Sequence, residues 1–188
     1  MKDLKNNKLF IPFIIALIGT ILMVVTVFLP YATAIDDHAE NIKENPDAIV
    51  YEELDMTAQD MMNISMVEYA NVYSNLADQL FGDSSYGVFY VVLVALIGGF
   101  SLLTVLFSFL KKPIAGIIFD ILAFGVFSIQ NWDYTDRGVI PSSSYDWGAG
   151  YYIFYVAALI TLVGAIWLLV NKIRNKKLCK NENVQQQI

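Results

Sequence analysis

Cysteine, histidine and charge are all scarce in this sequence, and each scarcity narrows what the chain can do. Its 188 residues include one cysteine and one histidine, which excludes an internal disulfide framework and any zinc site built from several cysteines or histidines. The sequence also lacks a phosphate-binding glycine loop, a nucleophile elbow and an HExxH pair. We therefore predict that the protein is not an enzyme and has no cofactor, no metal site and no nucleic-acid partner.

Charged residues make up 16% of the chain and hydrophobic residues 56%, whereas a typical soluble domain carries about a quarter charged residues. The apolar residues are concentrated in four stretches, each near the roughly 20 residues that a helix needs to cross a bilayer. The sequence therefore predicts an all-α integral membrane protein, a bundle of four transmembrane helices in the lipid bilayer. The predicted spans are residues 9–30, 87–110, 113–131 and 150–171.

Lysine and arginine are distributed unequally between the segments that connect these spans. Only Lys43 and Arg137 lie in the two segments 31–86 and 132–149. The other ten basic residues lie in segments 1–8, 111–112 and 172–188. Because basic segments beside a span stay in the cytoplasm, we predict a multi-pass plasma-membrane protein with both termini cytoplasmic.

The basic start of the chain leaves an alternative open for the first span. Ala32-Thr33-Ala34 fits the small-residue cleavage site of a signal peptide, and cleavage there would leave three spans. The apolar stretch before it exceeds the about 7 to 15 residues of a signal-peptide core, which favours a retained helix.

Aromatic residues are concentrated at the predicted outer ends of the spans. Tyrosine and tryptophan prefer the headgroup level of a bilayer, so their positions predict an interfacial belt. The residues of this belt are Tyr31, Tyr86, Tyr90, Trp132, Tyr134, Tyr145, Trp147, Tyr151, Tyr152 and Tyr155.

The segment 31–86 carries twelve acidic residues against one lysine and is too long for a plain connection. Ser65 and Glu68 have the spacing of a capping box, and apolar residues then recur at helical spacing until Gly82. We therefore predict a small, partly helical extracytoplasmic cap with an amphipathic helix at 66–81 and less order before it. The acidity is typical of a solvated face, and it also fits attraction of cationic peptides, polyamines or calcium.

Asp120 is the one ionisable residue well inside a predicted span. Gly116 and Ala123 share its helix face, and such small residues allow a second helix to approach closely. Asp120 is therefore either a proton or cation site or a polar packing contact. For the second interpretation, the candidate partners are Ser101, Ser108, Thr161 or the helix of another protein.

Small residues at helical spacing also predict packing seams elsewhere in the spans, because they let backbones approach one another. The positions are Ala16 with Thr20, Ala95 with Gly99, and Ala157 with Thr161 and Ala165.

The predicted topology, with cytoplasmic ends and a large first outer loop, is similar to that of claudins and related four-span proteins. Their first loop carries a tryptophan and two cysteines, whereas segment 31–86 contains neither residue type, so the resemblance implies no function. The lack of catalytic motifs and the acidic cap favour an accessory or regulatory interaction subunit, or a sensor. Its partner would be a membrane protein or a second copy of itself. The alternative is a small oligomeric carrier in which Asp120 is the proton or cation site.

Overall fold

The computed structural model describes residues 2–83 and 85–185, most of which are helical. Along this part of the chain the helices are α1 (Lys2–Thr26), α2 (Asp36–Glu44), α3 (Met66–Phe81), α4 (Ser85–Phe109), α5 (Pro113–Asp136) and α6 (Ala149–Gln185). Four of them, α1, α4, α5 and α6, contain stretches long and apolar enough to cross a membrane. The all-α class with four long apolar helices thus agrees with the sequence prediction.

The ends of these helices differ from the predicted spans. Helix α1 ends at Thr26 rather than at residue 30, because Pro30–Ala34 forms a strand. Helix α5 continues past residue 131 to Asp136, and α6 continues past residue 171 to Gln185. Polar and basic side chains are compatible with a helix, so the end of an apolar run does not mark the end of the helix. Residues 186–188 of the predicted tail lie outside the described residues.

The outer surface of the long helices is apolar. Between 28% and 39% of each candidate span is buried inside the protein, and large side chains such as Leu102, Leu159 and Val163 are exposed. A water-soluble bundle would carry charged residues on that surface. The apolar exterior is therefore suited to contact with lipid.

The four long helices form a ring in which α1 and α5 each pack against both α4 and α6. The predicted seam residues Ala16, Thr20, Ala157, Thr161 and Ala165 are buried. They lie on α1 and α6, the two helices with the most extensive mutual packing. Small residues at this interface bring the two backbones together, as expected for helices that associate in lipid.

Two glycines show how close this approach is. A Cβ atom at Gly164 would lie 2.4 Å from the backbone nitrogen of Ala16, and one at Gly19 would lie 2.5 Å from Oγ1 of Thr161. Real Cβ atoms do not approach so closely, so even alanine would force the two helices apart. The α1–α6 seam therefore requires glycine at both positions.

The predicted seam at Ala95 and Gly99 is wrong for the described residues. Ala95 is exposed, and a Cβ atom at Gly99 would meet nothing within 4 Å. This face of α4 lies on the outside of the ring. Small-residue spacing shows that a face can pack closely, but it does not determine whether a neighbour is present.

Residues 30–83 and 138–148 form a small end domain at one end of the helices. Its strands are β1 (Pro30–Ala34), β2 (Ile49–Tyr51), β3 (Met56–Thr57), β4 (Asn63–Ser65) and β5 (Tyr145–Trp147). β1 is the central strand of an antiparallel sheet with the order β4-β1-β5, in which Ala32 pairs with both Ile64 and Trp147. β2 and β3 form a separate antiparallel pair.

The sheet corrects the expectation that the segment before α3 is less ordered. Helix α2, the β2–β3 pair, β4 and α3 follow one another there with only short connections. Strands of two to five residues are too short for a reliable alternating pattern, and β5 comes from the far connection between α5 and α6. Order in this segment therefore depends on contacts between residues that are distant in sequence.

Helix α3 covers the range that its capping signals predict. The Ser65 N–H donates to Oε2 of Glu68 at 2.7 Å, and the Glu68 N–H donates to Oγ of Ser65 at 3.2 Å. Gly82 ends the helix in the left-handed conformation with φ of 70°, which glycine adopts without strain. The apolar face of α3 packs against α4, so the helix connects the end domain to the bundle.

Candidate functional site

The exposed charged residues of the end domain are almost all acidic. Of the twelve acidic residues in segment 31–86, Glu68 is half-buried in the α3 cap and the other eleven are exposed. Lys43, the single base of the segment, is exposed beside them. The exposed acids are Asp36, Asp37, Glu40, Glu44, Asp47, Glu52, Glu53, Asp55, Asp60, Asp78 and Asp83. This surface carries a strong negative charge at neutral pH.

Local hydrogen bonds lower the pKa of two of these acids. The Thr57 backbone N–H and hydroxyl both donate to Asp60, which lowers the pKa of its carboxyl. The Ser85 N–H donates to Asp83 and lowers that pKa as well. Within the part of the chain that the structure describes, no three His, Cys, Asp or Glu side chains are grouped to hold a metal ion. The negative charge is thus spread over the domain.

A cluster of tyrosines fixes the end domain to the long helices. We define the tyrosine cluster as Tyr31 of β1, Tyr69 and Tyr73 of α3, Tyr90 of α4 and Tyr134 of α5. The Tyr73 and Tyr90 rings stack with centroids 4.5 Å apart, and the Tyr90 and Tyr134 centroids are 5.2 Å apart. Tyr31, Tyr90 and Tyr134 are fully buried. Their predicted place in an interfacial belt is therefore wrong, because the end domain covers this end of the bundle.

Burial also determines the chemistry of the cluster. Loss of solvation raises the pKa of Tyr31, Tyr69 and Tyr73 above the ordinary tyrosine value, which itself lies well above physiological pH, so their hydroxyls are neutral. The Tyr31 hydroxyl donates to Oδ1 of Asn131 at 2.5 Å, and Nδ2 of Asn131 donates to the Tyr155 hydroxyl at 2.9 Å. This chain of bonds ties β1 to α5 and α6.

A charged pair also contributes to the junction, by which we mean the contacts between the end domain and the long helices. Nη2 of Arg137 lies 2.9 Å from Oδ2 of Asp133, and each side chain is 26% exposed. The Tyr90 hydroxyl donates to Asp133 and accepts a hydrogen bond from Arg137. The guanidinium lies 5.1 Å and 5.7 Å from the ring centroids of Tyr90 and Tyr134. Sequence spacing predicts the Arg137 pair with Asp133 or Asp136, but the contribution of Tyr90 has no local signal.

Asp120 lies in a different part of the molecule, inside the bundle. It is 2% exposed, and Gly116 and Ala123 are buried on the same side of α5. Its Oδ1 atom accepts no hydrogen bond from any described residue. The side chain lines a cavity of about 240 Å³ between α5 and α6, together with Ile121, Phe124, Ala158, Leu159 and Leu162.

The predicted partners of Asp120 do not bond to it among the described residues. The Thr161 hydroxyl donates to the Ala157 carbonyl at 2.9 Å, and Oγ of Ser101 is buried without a hydrogen bond. Ser108 faces Gly116, where a Cβ atom would lie 3.8 Å from its Oγ. Asp120 is therefore a buried carboxyl group in an apolar cavity with hydrogen-bonding capacity to spare.

The end domain also contains a cavity that sequence reasoning missed. It has a volume of about 360 Å³ and lies between α2, the β2–β3 pair and β5. Nε2 of His38 lies 3.1 Å from the Tyr145 hydroxyl, which donates to the Met61 carbonyl at 3.0 Å. Burial raises the pKa of Tyr145 to about 12. The residues that line this cavity come from three separate segments of the chain, so no local sequence pattern could have indicated it.

Three features thus stand out: the acidic surface, the junction that fixes it to the helices, and the isolated carboxyl group of Asp120. Comparison of the chain with family models, with curated proteins and with solved structures finds no match.

Proposed function

We propose that the protein is a multi-pass plasma-membrane protein that acts as an accessory interaction subunit. Its acidic end domain lies outside the cytoplasm and binds a basic surface of a membrane-protein partner, and both termini are cytoplasmic. The observation that carries this proposal is the group of eleven exposed acidic residues on a domain fixed to the long helices.

The charge distribution supports this orientation. Lys111, Lys112 and Lys172 lie at the end of the helices opposite the end domain, and basic residues beside spans stay in the cytoplasm. The acidic domain is then on the outer side. There it attracts positively charged surfaces over roughly 8 to 10 Å at physiological ionic strength.

The junction supports a role in binding rather than simple solvation. The sheet, the tyrosine cluster and the Arg137–Asp133 pair order the end domain before any partner arrives. A preordered surface loses less conformational freedom on binding, which strengthens binding for a given set of contacts. The same junction couples a partner on the end domain to the position of α4 and α5.

Neutralising part of the surface is expected to release the partner. Glu40, Glu44 and Asp47 are exposed and make no hydrogen bond to another described side chain, so the triple variant E40Q/E44Q/D47N removes charge without breaking a bond. We expect recovery of a stoichiometric membrane partner to fall about tenfold, because removed surface charges weaken and slow electrostatic association. The measurement is a mild-detergent pull-down of the C-terminally tagged chain from its native cell, quantified by mass spectrometry.

The matched control keeps the charges and changes the side chains. The triple variant E40D/E44D/D47E is expected to recover the partner at the wild-type level, and raised salt is expected to weaken recovery. Equal recovery by the neutral and charge-conserving variants would contradict binding through the acidic surface. Recovery of self-oligomers alone would exclude the accessory role.

Asp120 favours a second candidate function, a small oligomeric carrier. The specific observation is a buried carboxyl group with an unbonded oxygen beside a cavity between α5 and α6. Buried acids in spans often mark ion or proton routes, and a second copy of the chain would complete the cavity. In the accessory role, the same oxygen instead accepts a hydrogen bond from a partner helix.

The substitution Asp120→Asn separates these two roles. If the protein is a carrier, the Asp120→Asn variant loses proton or monovalent-cation flux into proteoliposomes and still assembles, because asparagine cannot release a proton. If Asp120 is a polar contact, the variant keeps its flux and recovers less of the partner. Ile121→Val changes the same cavity without touching the carboxyl group, so it is the control for altered packing.

A further inference from the structure

A groove at the end of the bundle opposite the end domain combines apolar walls with a basic rim. It has a volume of about 470 Å³ and lies between the start of α5 and the C-terminal half of α6. Its apolar walls are formed by Pro113, Ile114, Ala115, Ile118 and Leu169. Lys111, Lys112 and Lys172 line the same groove, and none of the described lining residues is acidic.

The fold brings these three lysines together from two distant segments. Lys111 has a positive φ of 51°, and its N–H donates to the Ser108 carbonyl at 2.9 Å. The ammonium group of Lys172 donates to the Lys111 carbonyl, which fixes α6 against the tight turn between α4 and α5. The ammonium group of Lys111 lies 5.1 Å from the ring centroid of Phe13 on α1. Like charges on the three lysines repel one another, and a nearby anion relieves this repulsion.

The start of α5 adds to the positive potential of the rim. Pro113 occupies the first turn of this 24-residue helix. Early backbone N–H groups of a helix have no intrahelical partner, and the helix dipole is positive at this end. The lysines and the helix end therefore favour a negatively charged group at the mouth of the groove.

We propose that this groove binds an anionic glycerophospholipid, with its phosphate at Lys111, Lys112 and Lys172 and an acyl chain along Ile114, Ile118 and Leu169. Charge complementarity determines the headgroup, and the apolar walls determine that the anion carries a hydrocarbon chain. Inorganic phosphate would occupy only the basic rim and would make no contact with these apolar walls. The leaflet on the cytoplasmic side supplies such lipids, and the lysines are on that side in the proposed topology.

The lipid site goes beyond the proposed function. It rests on membrane insertion and on the proposed cytoplasmic position of the lysines, but not on a partner of the acidic surface, which lies at the other end of the helices. If lipid binding is absent while the membrane partner is still recovered, only the lipid site is rejected and the proposed function stands. Recovery of the chain in the membrane fraction tests insertion separately from both.

Native mass spectrometry of the purified full chain tests the site directly. The protein is mixed in detergent with equal amounts of phosphatidylglycerol and phosphatidylcholine of the same acyl composition. We expect one phosphatidylglycerol to be retained at least about tenfold more often than phosphatidylcholine, since each nearby lysine favours an anionic headgroup. Excess inorganic phosphate is expected not to displace it. Equal retention of the two lipids, or displacement by phosphate, would overturn the proposal.

Two variants test the rim and the walls separately. K111Q/K112Q is expected to lose at least about tenfold in phosphatidylglycerol retention, because two headgroup charges are removed. Its control, R174Q/K176Q, removes the same charge from exposed residues of α6 outside the groove and should retain the lipid. Ala115→Trp fills the groove and leaves all three lysines in place, so it should exclude the acyl chain. Retention by both K111Q/K112Q and Ala115→Trp would place the lipid elsewhere.

Discussion

Replacing Gly164 with leucine is expected to disrupt the four-helix bundle. Even a single Cβ atom at this position would lie 2.4 Å from the backbone nitrogen of Ala16 and 2.8 Å from its Cα. These are backbone atoms, so no side-chain rotation can relieve the clash, and α1 must move away from α6. Overpacking of a close-packed interior destabilises by about 1 to 3 kcal/mol, occasionally more. We expect this change to reach or exceed the upper part of that range.

The matched control is Gly98→Leu, on the outer face of α4. A Cβ atom there would meet nothing within 4 Å, and leucine has a higher helix propensity than glycine by about 1 kcal/mol or less. Thermal unfolding in detergent, followed by circular dichroism, measures both variants. Gly164→Leu should unfold at a clearly lower temperature than wild type and Gly98→Leu at a similar or higher one. Equal unfolding temperatures would show that α1 and α6 do not pack through this seam.

The second large effect is expected at the junction, where Arg137→Met should loosen the end domain. The substitution leaves the carboxylate of Asp133 with one neutral donor, the Tyr90 hydroxyl, in a partly buried site. Breaking a fully buried pair destabilises by about 3 to 5 kcal/mol. Because both side chains are 26% exposed, solvent screens part of this loss, and we expect about 2 kcal/mol.

A double variant distinguishes the charge effect from lost packing. The variant R137M/D133L removes both charges, so it should be more stable than Arg137→Met alone. Limited proteolysis with chymotrypsin, which cleaves after aromatic residues, reports whether segment 30–83 becomes accessible. Lys43→Gln, which removes an exposed base of the same domain, is the control. If Arg137→Met and Lys43→Gln are cut at the same rate, the pair does not fix the junction.

Local signals predict the helices well because their causes are local. The long helices follow from apolar runs of span length. Helix α3 follows from Ser65, Glu68 and Gly82, which act on backbone groups within one turn. The helix ends are predicted less well, since α6 continues into polar sequence after its apolar run.

The candidate sites are predicted only in part. Asp120 is conspicuous in the sequence because an acid in an apolar run is rare. That none of the described residues donates a hydrogen bond to its Oδ1 is a property of the packed bundle. The acidic surface can be predicted from the amino-acid composition of its segment, whereas its attachment to the helices through Tyr31 and Tyr90 cannot. Belt-like spacing places both tyrosines at the membrane interface, and the end domain instead buries them.

The long apolar helices, the capped helix α3 and the separation of acidic from basic segments follow from local sequence, because each depends on residues close together in the chain. Three contacts instead result from long-range packing: Gly164 meets Ala16, β1 pairs with two distant strands, and Lys172 lies beside Lys111. Such contacts depend on which faces of the elements meet. That choice is made by packing over the whole bundle, where many weak contacts act together and local patterns carry no record of the partner.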